Sequence, residues 1–136
     1  MLITKETDYA LRTLRALSGG NRMTTAQLAK NEQIPQQFAY KILKKLQKGG
    51  LVCIQRGADG GCSLAAELDQ ITFLRLVQIM DDDASVSSCM KAGYQCGWCK
   101  AHGDTVCHAH LELASIQNKL NQELASHNLQ EILFGS

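Results

Sequence analysis

Between Cys89 and His110 the chain reads CMKAGYQCGWCKAHGDTVCHAH, and no other stretch limits the fold as severely. Four of the six cysteines and three of the four histidines fall in these 22 residues, with Gly93, Gly97, Gly103 and the only tryptophan. Few of the other residues could fill a core. Ordering a backbone costs about 1–2 kcal/mol per residue, which a segment this poor in apolar side chains cannot recover by burial. Clustered thiols and imidazoles point to a metal or metal cluster, whose ligand bonds can supply the missing folding energy.

The rest of the chain suits a small helical protein. Its 136 residues, 45% hydrophobic with a single proline, are enough for one domain, or one domain with an appendage. The N-terminus carries charges where a signal peptide would have an apolar run, and no stretch approaches the roughly 18–20 apolar residues of a membrane span. A cytoplasmic location is expected, without a membrane partner. Structural disulfides are rare there, and grouped cysteines more often bind metal or carry out redox chemistry. The net charge of +1 hides an asymmetry: residues 1–60 carry ten Lys/Arg against four Asp/Glu, and the remainder four against nine. A basic half beside an acidic one suggests that the first meets a polyanion, although a solvated surface would look the same.

Thr4 to Ser18 reads as a helix with Thr4 as cap, Glu6 and Asp8 near the positive end of its dipole, and Ala10, Leu14 and Leu17 on its apolar face. Gly19-Gly20 stops it. Thr24-Thr25-Ala26-Gln27 matches a capping box opening a short helix that buries Ala26, Leu28 and Ala29. A third helix is expected from Pro35, which suits a first helical position, to Gly49-Gly50. Phe38, Ala39, Ile42, Leu43 and Leu46 form its apolar face, and Gln37, Lys41, Lys44 and Lys48 a cationic one flanked by Gln36 and Tyr40. Two short helices before such a face are the arrangement of a helix-turn-helix, in which Gln reads base edges and Lys contacts phosphates. Thr24, at the cap of the second helix, is a further DNA-contact candidate.

Leu51 to Arg56, a glycine-rich turn, and Cys62 to Ala65 read as a β-hairpin, which makes the unit a winged helix with Arg56 at the wing shoulder. Cys53 and Cys62 are expected opposite one another, packed as small hydrophobes. A fourth helix follows from about Thr72 to the acidic run Asp81-Asp82-Asp83. After the cysteine segment a long helix is expected from about Cys107 towards His127, with Leu113, Ile116, Leu120 and Leu124 as a stripe. A twofold partner would bury that stripe, as would packing back on the same chain. Asn128 with Glu131 then resembles a second capping box. The chain thus divides into residues 1–68, a winged helix-turn-helix, and 69–136, with a linker helix, a cysteine loop (89–107) and a dimerisation helix; the fold class is mainly α with a small β-wing.

These fragments in this order resemble the Rrf2 family of winged-helix transcriptional regulators, the group of the IscR, NsrR and RirA iron–sulfur sensors. The resemblance covers nearly the whole chain. It rests on Ile3-Thr4 with Asp8-Tyr9-Ala10-Leu11-Arg12, on Ile34-Pro35, Leu43-Lys44-Lys45-Leu46 and Gly49-Gly50-Leu51-Val52, and on Arg56-Gly57 with Gly60-Gly61 and Leu64-Ala65. Ile71-Thr72 and the cysteines before the last long helix complete it. It implies a non-enzymatic homodimer that binds a partly palindromic operator in double-stranded DNA, with a 2Fe–2S or 4Fe–4S cluster near the dimer interface. The spacing Cys89-x6-Cys96-x2-Cys99-x7-Cys107 departs from the family's usual three cysteines. Cys107-His108-Ala109-His110 resembles the Cys-x2-His of IscR, making His110 a candidate fourth ligand, and Asp8 matches the aspartate that NsrR-like proteins supply from the other subunit.

Three functions compete. A regulator, expected to be a repressor, could have its operator binding controlled by a cluster sensing redox state, nitric oxide or iron supply. A DNA-binding module could hold zinc for structure alone, since thiolate-rich sites suit both. A thiol redox protein could use Cys96-Gly97-Trp98-Cys99, although no βαβ pattern precedes that motif.

Overall fold

Thr4 opens the first helix, α1 (Lys5–Leu17), by accepting a hydrogen bond from the Thr7 backbone N–H at 3.3 Å. The structure is a computed structural model that describes residues 3–57, 60–81 and 85–135. Thr13, buried in the middle of α1, donates its hydroxyl to the Tyr9 carbonyl at 2.9 Å, so its burial leaves no orphan donor. In α2 (Thr25–Glu32) the capping box closes both ways: Thr24 Oγ1 accepts from the Gln27 N–H at 3.1 Å, and the Thr24 N–H donates to Gln27 Oε1 at 2.9 Å. Leu28 and Ala29 are buried, whereas Ala26 is exposed, because so short a helix sinks only one side.

Pro35 does not enter α3 (Gln36–Lys48). It stands at the N-cap with a ψ of 134°, extended rather than helical, and the helix starts one residue later than expected. Ala39, Ile42, Leu43 and Leu46 are buried. Phe38 is not: it precedes that stripe by one residue, roughly 100° around the helix, and stays 39% exposed with its ring tilted against Tyr9 at 6.1 Å.

The wing is an antiparallel hairpin of β1 (Val52–Gln55) and β2 (Gly61–Leu64). Its register pairs Cys53 with Ser63 and Ile54 with Cys62. The two cysteines are therefore offset by one residue, and with alternating faces Cys62 is buried while Cys53 is exposed, not paired and packed as expected. A third rung ties the wing back to the start of α2: Met23 and Cys62 exchange both backbone hydrogen bonds, at 3.1 and 2.6 Å. Gly61 permits it. Its φ is +146°, and an added Cβ would stand 2.8 Å from the Met23 carbonyl oxygen.

Thr72 caps α4 (Phe73–Met80) by accepting from the Arg75 N–H at 3.1 Å. The expected stop falls at Asp81, with Asp82 and Asp83 outside the described residues. Gly49, where α3 ends, lets α4 approach: a Cβ there would lie 2.7 Å from Ile79 Cδ1. Leu14, Leu17, Leu28, Ile42, Leu46, Leu76 and Val77 are wholly buried in one core, each contributing on the order of 1.5–3 kcal/mol relative to exposure.

The C-terminal half returns to that core. The cysteine segment holds a 3-10 turn (Ser88–Met90) and a short helix, α5 (Gly97–Ala101), which periodicity did not foretell. The long helix α6 (His108–Ala125) is slightly shorter than expected. A two-residue bridge then joins Thr72 to Asn128: the Phe73 N–H donates to the His127 carbonyl and the Leu129 N–H to the Ile71 carbonyl, both at 2.8 Å. Asn128 caps α7 (Leu129–Phe134) by accepting from the Glu131 N–H at 2.8 Å, and Leu129 is wholly buried. The α6 stripe divides. Leu124 is buried in this chain's own core, Leu113 and Leu120 are half-buried, and Ile116 is exposed. Among the described residues no helix is long and apolar enough to cross a membrane.

Candidate DNA-reading face and cysteine cleft

The outer face of α3 presents Gln36, Gln37, Tyr40, Lys44 and Lys48, all exposed. Lys44 Nζ lies 5.3 Å from the Tyr40 ring centroid, a cation–π contact that gathers an aromatic and a cation on one spot. Lys41 shares this strip but is not free, because its Nζ lies 2.7 Å from Glu6 Oε1 on α1. Thr24 is exposed with its hydroxyl committed to the α2 cap, and Arg56 is exposed at the wing shoulder. Ala58 and Asp59 lie outside the described residues.

The second site is a cleft of about 490 Å³ between the cysteine segment and the start of α6. Cys89, Cys96, Cys99 and Cys107 all line it, together with His110, Asp104, Tyr94 and Leu113. Three local devices place the thiols. Cys89 lies in the 3-10 turn with Ser87 Oγ 3.4 Å from its Sγ. Cys96 and Cys99 bracket the first turn of α5, and Cys107 is the N-cap of α6, its carbonyl accepting from the Leu111 N–H at 3.2 Å. Trp98 and His102 stack at 4.3 Å, with His102 Nδ1 2.7 Å from the Trp98 carbonyl oxygen, and neither lines the cleft.

The backbone N–H of Cys99, with help from that of Trp98, holds the Cys96 thiol below its ordinary value. Cys99 is pushed up, first by desolvation and then by the neighbouring Cys96, Cys107 and Asp104. Such mutual repulsion among thiolates is what a bound cation relieves, and N–H donors on sulfur favour the thiolate that a metal requires. Among the described residues no three donors already converge as a finished ligand cage, so the thiols share a cleft without being drawn together. The donor chemistry fits a thiolate-bound cluster or zinc. Of the two candidate fourth ligands, His110 lines the cleft of its own chain, whereas Asp8, expected to serve the other subunit's site, stands outside the cleft of its own. Asp8 instead pairs with Arg12 at 3.0 Å, and Arg12 Nη1 donates to the Glu32 carbonyl at 3.2 Å. Tyr94 and Asp104 are cleft residues that the sequence reading passed over; the positive φ of 59° at Asp104, which turns the chain between α5 and α6, had no local signal beyond Gly103.

Comparison with known proteins identifies the family. The Rrf2 family, described as "Iron-dependent Transcriptional regulator", matches residues 3–134. Protein aau3 of Rhizobium meliloti is 33% identical over 95 residues, which cover 68% of this chain and 62% of that protein. The HTH-type transcriptional repressor NsrR of Streptomyces coelicolor is 32% identical over 93 residues, 65% of this chain and 63% of the repressor. The matches thus span just under two thirds of each of these relatives. Crystalline CymR of Staphylococcus aureus in its oxidized form superposes with a TM-score of 0.70 at 14% identity, over 98% of this chain and 97% of that one, and establishes the winged-helix fold. The chain belongs to the Rrf2 family of transcriptional regulators.

Proposed function

We propose that this regulator is a repressor whose affinity for a partly palindromic DNA operator is set by an iron–sulfur cluster in a homodimer, held by Cys89, Cys107 and one or both of Cys96 and Cys99, with His110 or the other subunit's Asp8 as the candidate fourth ligand where only three of these cysteines bind. The observation that carries the proposal is that four thiols and one imidazole, spread over 22 residues, line a single cleft. When bound, a cluster supplies a centre that changes charge with redox state and is dismantled by nitric oxide or iron shortage. The chain's own residues do the rest. Residues 89–107 are drawn onto the start of α6, and the segment's entry is already tied to the middle of that helix, because the Val86 N–H donates to Gln117 Oε1 at 2.7 Å. The same segment leads back to α4, which abuts α3 at Gly49, so ordering it biases where the recognition helix stands. Gln36, Gln37 and Tyr40 read bases, while Lys44, Lys48, Arg56 and the Thr24 region meet the backbone.

In this reading residues 1–68 form the DNA-binding unit and 69–136 the sensing and dimerising one. The exposure of Leu111 and Ile116, at 52% and 48%, supports a partner along α6. Anaerobic purification followed by visible spectroscopy and iron, sulfide and zinc analysis tests the cofactor. A brown protein with matching iron and sulfide is expected. A colourless protein with stoichiometric zinc would make the cysteines a structural staple. One specific observation supports thiol chemistry as a second reading, namely the N–H donors that favour the Cys96 thiolate beside Cys99. A chain that takes up no metal after anaerobic reconstitution would leave that reading in place.

A further inference from the structure

Glu6 sits where the DNA-reading helix meets α1. Its two carboxylate oxygens are divided between two lysines of α3: Lys41 Nζ at 2.7 Å from Oε1 and Lys45 Nζ at 2.7 Å from Oε2. Lys45 also donates to the Met80 carbonyl at 2.9 Å, which anchors it to the end of α4 whether or not Glu6 is present. Lys41 has no such second anchor among the contacts described. Residues 37, 41, 44 and 48 recur at helical spacing and share one face, so Lys41 stands in the strip that would face phosphates. Its side chain is 56% exposed, against 21% for Glu6. Hydrogen bonds from Lys41 and then Lys45 hold the Glu6 carboxyl below its ordinary value, so the carboxylate stays charged throughout the neutral range.

We propose that Glu6 limits phosphate contact by the DNA-reading helix: it holds the Lys41 ammonium off the phosphate backbone, leaving sequence-independent attraction to Lys44, Lys48 and Arg56. Affinity for any DNA grows, and becomes more salt-dependent, with each phosphate neutralised, so masking one cation on the reading face lowers that common term and leaves the base-reading side chains untouched. The inference rests on the DNA-binding part of the function above and is independent of the cluster.

The test is a salt titration of the full chain against a short mixed-sequence DNA duplex, read by fluorescence anisotropy. Glu6→Gln is expected to tighten binding at low salt and to steepen the slope of log K against log salt by about 0.9 per subunit, the value of one added phosphate contact. Lys41→Met alone, a surface change that leaves the core untouched, is expected to leave the wild-type slope unchanged. Adding it to Glu6→Gln is expected to restore the wild-type slope. A merely structural role for Glu6 would not give this pattern. An unchanged slope in Glu6→Gln overturns the proposal, as does a slope flattened by about 0.9 in Lys41→Met alone. A wild-type chain with no salt-dependent affinity for the duplex overturns the DNA-binding reading itself, and the proposal with it.

Discussion

Glu6 shows how much a single carboxylate does in this fold. At the sequence level it reads as a dipole-compensating residue, yet its partners lie far along the chain, with Lys45 39 residues away, and no local pattern joins them. The group's folded-state value lies below its ordinary 4.5 because Lys41 and Lys45 hydrogen-bond the charged form. A depressed carboxyl contributes stability that is present above the unfolded value and lost as pH falls through the folded one. Acidification below about pH 4.5 should therefore destabilise the wild type more than Glu6→Gln, by under about 1 kcal/mol for a pair this close to solvent. Parallel thermal melts that stay the same distance apart from pH 7 to pH 3 would contradict this. Gly61 is the second decisive residue. Gly61→Ala meets both a φ of +146° and the Met23 carbonyl oxygen, so it should cost about 1–3 kcal/mol in a denaturant melt. A cost indistinguishable from zero would mean that the wing is not fastened at Met23.

At the level of elements, what could be read from the sequence was whatever is decided locally. Thr24 with Gln27, Thr72 before α4 and Asn128 with Glu131 are contacts at spacing three, and each caps its helix. The apolar stripes of α1 and α3 likewise declare themselves, because 3.6-residue periodicity is a property of the segment alone. What escaped depends on geometry that no segment holds by itself. The hairpin register hinges on the turn between Gln55 and Gly61, and shifting it by one residue turned Cys53 out to solvent while leaving Cys62 buried. α5 is five residues in a glycine-rich loop, too short to show a stripe. The register makes a direct prediction. In the folded, metal-free chain Cys53 should be alkylated rapidly and Cys62 only on unfolding, since burial both shields that thiol and pushes it up. Peptide mapping that finds Cys62 labelled as fast as Cys53 would refute the pairing.

At the level of the whole molecule, the two halves of the chain share one core, which no local pattern announces. Leu129 opens a helix of only six residues, with Ile132 and Leu133 at i+3 and i+4, yet it is as buried as Leu14, because the Thr72–Asn128 bridge brings the C-terminus back beside α4. Leu129→Ala should then destabilise the entire fold by about 2–5 kcal/mol, comparable with Leu14→Ala, in a single cooperative transition. An early, separate transition would show that the C-terminal turn is an appendage. Under the proposed function, that continuity is the route by which a change at the cysteine cleft would reach the DNA-reading helix. The cysteine set was legible by spacing and His110 by the Cys-x2-His fragment; the single cleft that they line, shared with Tyr94 and Asp104, was not, because it depends on how the cysteine segment packs beside α6. The most direct test is the anaerobic affinity of the full chain for an operator selected from random DNA, measured on the iron- and sulfide-loaded protein and again after chelation. The cleft's thiols predict a change of at least about fivefold between the two, as expected for coupled sites. Equal affinity in both states would contradict control of DNA binding by this site.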